Sequence, residues 1–179
     1  MHVLYVHKNF PAQFGHMAAP LVCDPGYSCT FVSVTPAQRT AGIEKIQYRP
    51  SSSGSREPHP LAADFNSAVA HAEGVYRTLK PLKDRVRPDP IVGHSGFGST
   101  MLLPELYPQT PIINLFEFFY GSPNGHLGFR PDRPASAIGR LGKTEQSVRA
   151  SGEAVTSRTA GHASCSQSLI ASVCLASSA

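Results

Sequence analysis

What most constrains the fold is a repeated change of hydrophobic rhythm. Short apolar runs alternate with stretches of helical period along residues 1–129. The first run, Val3-Leu4-Tyr5-Val6, begins almost at the amino terminus. It breaks at once into His7-Lys8-Asn9-Phe10-Pro11, and a helix-like stretch follows. A continuous apolar run of this length reads as a strand covered on both faces, and the polar break reads as the loop at its carboxyl end. The same pattern predicts strands over residues 2–6, 29–34, 43–49, 90–93 and 112–116, and helices over 12–22, 61–83 and 99–106. Strands alternating with helices give an α/β fold, a Rossmann-like parallel sheet flanked by helices. In such sheets ligands bind outside the carboxyl ends of the strands.

The long helix has the clearest period. Leu61, Ala62, Phe65, Ala68, Val69, Ala72, Val75, Tyr76 and Leu79 recur at helical spacing. Arg77, Lys80 and Lys83 gather toward its end, where the helix dipole favours cations, and Pro81 marks or kinks that end. The Pro50-Ser51-Ser52-Ser53-Gly54-Ser55 run before it reads as a loop.

After Pro134 the character changes. All 15 aromatic residues lie before it, whereas residues 135–179 are rich in Ser and Ala. Such a tail buries little apolar surface, so it is expected to be poorly structured. The division is a domain over 1–134 and a tail over 135–179. Net charge is +4, with 12 basic and 10 acidic residues in 1–134 against 4 and 2 in the tail. The basic excess is thin and unclustered, and no nucleic-acid motif is visible, so nucleic acid is not an expected partner. No secretory signal is visible, which makes the cytoplasm the expected location. The most apolar window, residues 112–120, is too short to span a bilayer, leaving at most peripheral membrane contact. Cys23, Cys29, Cys165 and Cys174 match no zinc or redox spacing and read as free thiols; no metal is expected.

Three segments have side chains suited to chemistry. Gly93-His94-Ser95-Gly96-Phe97-Gly98 follows a strand and precedes an expected helix. Gly96 and Gly98 permit close backbone approach to a ligand, the helix start suits phosphate, and His94 can face that ligand. The same glycines can also serve only a tight strand-to-helix turn. The segment nearly matches the nucleophile elbow G-x-S-x-G, with Ser95 as nucleophile, but Phe97 stands where the second Gly belongs. The second segment is the loop 7–15. There Asn9 and Gln13 can bond hydroxyls or phosphates, Gly15 lies beside them, and Phe10 and Phe14 can pack the loop on the sheet. It is not a G-x-G-x-x-G fingerprint. The third is Phe116-Glu117-Phe118, where a buried Glu117 needs a partner and can orient a hydroxyl or His94.

Taken in order, His7-x-Asn9-Phe10-Pro11-x-Gln13-Phe14, Tyr48-Arg49-Pro50, Arg87-Pro88-Asp89-x-Ile91-Val92-Gly93-His94-x-Gly96-x-Gly98, Phe116-Glu117-Phe118-x-Tyr120 and Gly128-Phe129 form a pattern. It resembles the N-terminal domain of family 4 glycosyltransferases, which have the GT-B fold. The resemblance implies sugar transfer from a nucleotide-sugar to an acceptor without a required metal. Two Rossmann-like domains face a cleft, the N-terminal one holding a sugar, lipid or glycan acceptor and the C-terminal one the nucleotide. It implies that the loop 9–15 borders the cleft and that His94 contacts the transferred sugar. His94 and Glu117 are then the candidate catalytic residues, and Asn9, Phe10, Gln13, Gly15, Gly96 and Gly98 the candidate substrate-binding residues. No cofactor is expected, the nucleotide-sugar being the substrate.

The chain departs from that pattern in two respects. Only Gly15 stands in a first loop where many relatives carry adjacent glycines. The donor-binding domain, with its basic residues and E-x7-E carboxylates, is missing. A frameshift or a misread gene end after Pro134 is therefore expected, with little or no transfer by the chain alone, or a separate chain supplying the donor domain. Two other classes remain open: a small α/β hydrolase using Ser95, and a non-catalytic binding module.

Overall fold

In the computed structural model, residues 1–36, 41–52, 59, 62–116 and 172–174 are described. The chain forms β1 (His2–Val6), α1 (Gly15–Leu21), β2 (Ser28–Ser33), β3 (Ile43–Gln47), α2 (Ala63–Leu79), β4 (Ile91–His94), α3 (Leu103–Leu106), β5 (Ile112–Phe116) and β6 (Ser172–Cys174). A 3-10 turn over Ala12–Phe14 leads into α1, and another over Lys80–Leu82 carries Pro81 at the end of α2. The five predicted strands are all present.

The sheet order is β3-β2-β1-β4-β5-β6. Strands β1 to β5 pair in parallel, with Val6 opposite both Val32 and Gly93. From β1 the chain moves outward through β2 and β3, then returns to the other side of β1 for β4 and β5. The order therefore reverses between β1 and β4, and it is outside the carboxyl ends at such a reversal that open α/β sheets bind ligands. Ser172–Cys174, the described part of residues 135–179, runs antiparallel to β5.

Alternation along β1 explains the two cores. Val3 and Tyr5 face one side, where they join Phe14, Ala18, Cys29, Phe31, Val92 and Leu115. Leu4 and Val6 face the other, with Val32, Ile46, Val75, Leu79, Ile91, Leu103 and Ile112. Each such side chain contributes about 1.5–3 kcal/mol when fully buried, so β1 is held from both faces. Burial raises the Tyr5 phenol to about 12.

Helix α2 buries Ala68, His71, Ala72, Gly74, Val75 and Leu79. Phe65 and Val69, part of the apolar series read from the sequence, are 46% and 37% exposed. The buried face is turned toward small residues because backbone must come close there. A Cβ on Gly74 would collide with the Arg49 carbonyl, and Ala68 lies against Gly98. Tyr48, just past β3, hydrogen-bonds the His71 imidazole (Oη to Nδ1, 2.8 Å), and the Ser51 N–H donates to the Ala70 carbonyl. The exit of β3 is thereby fastened along α2.

Candidate functional site

The carboxyl ends of β1 and β4 carry a matched pair of histidines. Val6 and Gly93 are partners across the two strands, and His7 and His94 each follow one residue later. Both rings are buried, 3% and 4% exposed. They meet edge to face, with centroids 5.4 Å apart and planes at 81°. Phe97 completes the cluster, 5.0 Å from the His7 ring and 4.8 Å from the His94 ring, and Phe14 lies 5.7 Å from His7.

The Gly96 N–H donates to His94 Nδ1 (2.9 Å). His7 Nδ1 lies 2.9 Å from the Asn9 backbone nitrogen and 3.0 Å from the Asn9 carbonyl oxygen, so it accepts from the one or donates to the other according to its tautomer. On His94, an Nδ1 that accepts leaves the proton of the neutral ring on Nε2, making Nε2 the donor. That is the polarity needed to bond a sugar hydroxyl or an oxygen gaining negative charge. Both Nε2 atoms are shielded from solvent. His94 is buried, with the Phe97 ring packed against it.

The two glycines beside Phe97 have internal reasons to be there. A Cβ on Gly96 would stand 2.7 Å from His94 Cε1 and 2.9 Å from its Nδ1, so glycine permits the N–H to reach the imidazole. Gly98 has φ +69° and sits on α2, where a Cβ would lie 2.6 Å from Ala68 Cβ and 2.8 Å from its carbonyl oxygen. The helix expected over residues 99–106 is confined to Leu103–Leu106. Residues 98–102 instead make turns, with the Met101 N–H donating to the Gly98 carbonyl and Leu103 to Thr100. Ser99 and Thr100 point inward, and the Thr100 hydroxyl donates to Asn114 Oδ1 (2.9 Å). The expected helix start directly behind Gly98 is therefore absent, and Thr100 instead pins the loop to β5.

Ser95 is buried and its hydroxyl donates to the Leu115 carbonyl (3.2 Å). A nucleophile elbow holds its serine exposed on a strained turn. Among the described residues the non-glycine position with positive φ is Ala12, at +47°, and not Ser95. The hydrolase alternative therefore lacks an available nucleophile.

The first loop distributes its candidates differently. Asn9 and Gln13 are exposed on the rim, and Asn9 connects to His94 through His7. Phe10 packs edge-on against Phe31 (4.8 Å), with Lys45 Nζ 3.8 Å from its ring centroid. Gly15 opens α1 against Pro11. Glu117 lies outside the described residues. The structure thus brings Asn9, His94, Gly96 and Gly98 to one edge of the sheet and adds two residues to the candidate set, His7 and Phe97. A signal for His7 was present: each flanking strand ends in His-x followed by a residue whose N–H turns back to the ring.

Among the described residues no group of three or more His, Cys, Asp or Glu side chains could hold a metal ion. None of the helices described is long and apolar enough to cross a membrane. Cys23 and Cys29 are free thiols.

The pattern of the glycosyl transferase family 4 group matches residues 25–158. The chain belongs to this family. The family 4 match extends past the compositional break after Pro134 and leaves β1 and His7 outside it. No curated protein matches the chain. Solved structures similar to this family 4 chain include UGT2 of Phytolacca americana. Without ligand it is 11% identical, with a TM-score of 0.37 over 58% of this chain and 26% of its own. Complexed with UDP-2-fluoro-glucose and pterostilbene it is 15% identical, with a TM-score of 0.42 over 62% and 29%. A UGT transferase of Siraitia grosvenorii in complex with UDP is 16% identical, with a TM-score of 0.41 over 67% and 28%. This family 4 chain thus spans between 26% and 29% of the chains it resembles.

Proposed function

We propose that this domain is the acceptor-side wall of a hexosyltransferase that uses a nucleotide-sugar. The observation that carries the reading is the histidine pair at the point where the strand order reverses, at the end of the sheet where such folds bind ligands. Membership of the family supports sugar transfer as the chemistry. In this reading the His94 Nε2–H contacts the transferred sugar after Phe97 swings aside on Gly96 and Gly98. Asn9, Gln13 and Gly15 border the cleft on the β1 side, Phe10 shapes the base of that loop, and Glu117 stands at the cleft mouth. The nucleotide-sugar is a substrate, so no cofactor is called for. The reaction belongs in the cytoplasm, with membrane contact at most peripheral.

Transfer requires the donor to be clamped and its leaving diphosphate stabilised, and both tasks fall to a second, donor-binding unit. The test mixes the purified chain with a separately expressed donor-binding domain of the family. Transfer from radiolabelled UDP-glucose and GDP-mannose to a panel of sugar and lipid acceptors is then measured. The expected result is no transfer by the chain alone, transfer by the mixture, and loss of at least about two orders of magnitude in rate with His94→Ala. Full transfer by the His94→Ala mixture would overturn the reading.

A further inference from the structure

Strand β5 ends the parallel part of the sheet, and one bond reveals which of its residues point outward. The Ile91 N–H donates to the Pro111 carbonyl (2.9 Å), while Ile91 stands opposite Ile112 and Gly93 opposite Asn114. In a parallel ladder the residues flanking each partner make the bonds, so residues 111, 113 and 115 turn their backbone groups to β4. The Ser95 hydroxyl, arriving from the β4 side, reaches the Leu115 carbonyl as this polarity requires. Ile112, Asn114 and Phe116 therefore turn their N–H and C=O groups to the outer edge. Strand β6 uses the last two of these, with Asn114 facing Cys174 and Phe116 facing Ser172. Each is a bonded antiparallel pair, and Leu115 with Val173 is the non-bonded pair between them. Ile112 lies beyond the register of β6.

We propose that the outer edge of β5 is a docking surface for a second copy of this chain, and that β6 is the tethered strand that keeps it closed. The outward positions are spaced evenly about Asn114, so the edge is complementary to itself. Under a two-fold rotation at Asn114, β5 of one copy pairs antiparallel with β5 of the other. Asn114 then faces its own counterpart, and Ile112 of each copy faces Phe116 of the other. The copy thus offers a bonded pair at Ile112, Asn114 and Phe116, whereas β6 offers one at Asn114 and Phe116 alone. The result is a closed symmetric dimer with one continuous sheet. β6 itself shows the direction of pairing that this edge accepts, and an uncovered edge strand is a template for another chain. Tethered through residues 117–171, β6 meets the edge at an effective concentration on the order of a millimolar or below, well above that of a copy in micromolar solution. The intact chain is therefore expected to be monomeric at micromolar concentration. This inference does not depend on the proposed sugar transfer.

Sedimentation velocity and amide hydrogen exchange on the full chain test the proposal. Ser172→Pro combined with Cys174→Pro removes the N–H groups that β6 aims at β5. Val173→Pro, whose nitrogen faces away from β5, is the matched control, since an edge strand tolerates proline there. Wild type and Val173→Pro are expected to sediment as monomers in micromolar solution, with the Asn114 and Phe116 amides protected. The double variant is expected to pass from monomer to dimer between micromolar and submillimolar concentration. In its dilute sample the Asn114 and Phe116 amides should exchange at least about tenfold faster than in wild type, and in its concentrated sample they should regain protection. A chain ending at Ala171 is the second variant and should behave in the same way. Slow exchange at Leu4 and Val32, inside the sheet, identifies folded protein. Folded variants that stay monomeric throughout would overturn the proposal. So would a dimer in which the Asn114 and Phe116 amides exchange as fast as in the dilute sample, because it would be using another surface. Wild-type protein already dimeric in micromolar solution would remove β6 as the strand that keeps the edge closed.

Discussion

Gly98→Ala should be among the more damaging single-methyl additions to this domain. The residue holds φ +69°, and its missing Cβ would lie 2.6, 2.8 and 2.9 Å from Ala68 Cβ, carbonyl oxygen and Cα. The left-handed backbone costs a residue with a Cβ roughly 1–2 kcal/mol. Pushing the loop off the α2 backbone adds about 1–3 kcal/mol, as overpacking does elsewhere. Reduced freedom of the unfolded chain returns roughly 0.4–1 kcal/mol. The net expectation is a loss of about 3 kcal/mol, or roughly 6–12 °C in Tm for a chain of this size. Gly26→Ala is the matched control. That glycine is exposed, has no positive φ, and its nearest neighbour to a new Cβ is the flexible Asp24 carboxylate at 3.2 Å. It should stay within about 0.5 kcal/mol of wild type. Urea unfolding followed by circular dichroism on both variants decides the matter, and Gly98→Ala as stable as Gly26→Ala would refute the reasoning.

Other variants test other parts of the site. Thr100→Val keeps the shape of the side chain but removes its buried hydrogen bond to Asn114, and should cost about 1–3 kcal/mol in the same urea assay. Ser95→Ala should leave any esterase activity of the preparation unchanged on a panel of nitrophenyl esters, because the hydroxyl is occupied by the Leu115 carbonyl; loss of such activity would revive the hydrolase reading. Burial, assisted by the nearby Lys8 charge, holds His71 below its ordinary value of 6.5. The unfolded chain therefore takes up a proton that the folded chain refuses. This contribution to stability is full above about pH 6.5 and is lost as pH falls through the depressed folded value. Melting temperatures between pH 8 and pH 5 should fall less steeply for His71→Gln than for wild type.

The sheet was readable because strands buried on both faces leave continuous apolar runs, as in Val3-Leu4-Tyr5-Val6 and Ile112-Ile113. Helix α2 was readable from its period, but its buried face was not. Phe65 and Val69 look like core residues until Gly98 and Arg49 are seen to need the small side of the helix. The helix expected from residue 99 failed because Ser99 and Thr100 were read as a helix start, whereas Thr100 makes its bond across the fold to Asn114. Nothing in Ser172-Val173-Cys174 signalled a strand, since three residues carry no alternation and the pairing with β5 is set from elsewhere. His94 was visible as a candidate. Its enclosure by His7 and Phe97 was not, because ring packing between residues 87 positions apart leaves no trace in local pattern.

Helix α2 has a seat for one loop at Ala68, where Gly98 meets a methyl group and the helix main chain, and for another at Gly74, where the Arg49 carbonyl meets bare backbone. The two seats are about 9 Å apart along the axis. Inserting or deleting a single residue between them would turn one seat by roughly 100° relative to the other and slide it by about 1.5 Å. One of the two loops would then meet a different side chain where it now meets a methyl group or bare backbone. The six-residue spacing thus acts as a gauge that cannot be lengthened or shortened by one, and the exits of β3 and β4 are set by the same ruler.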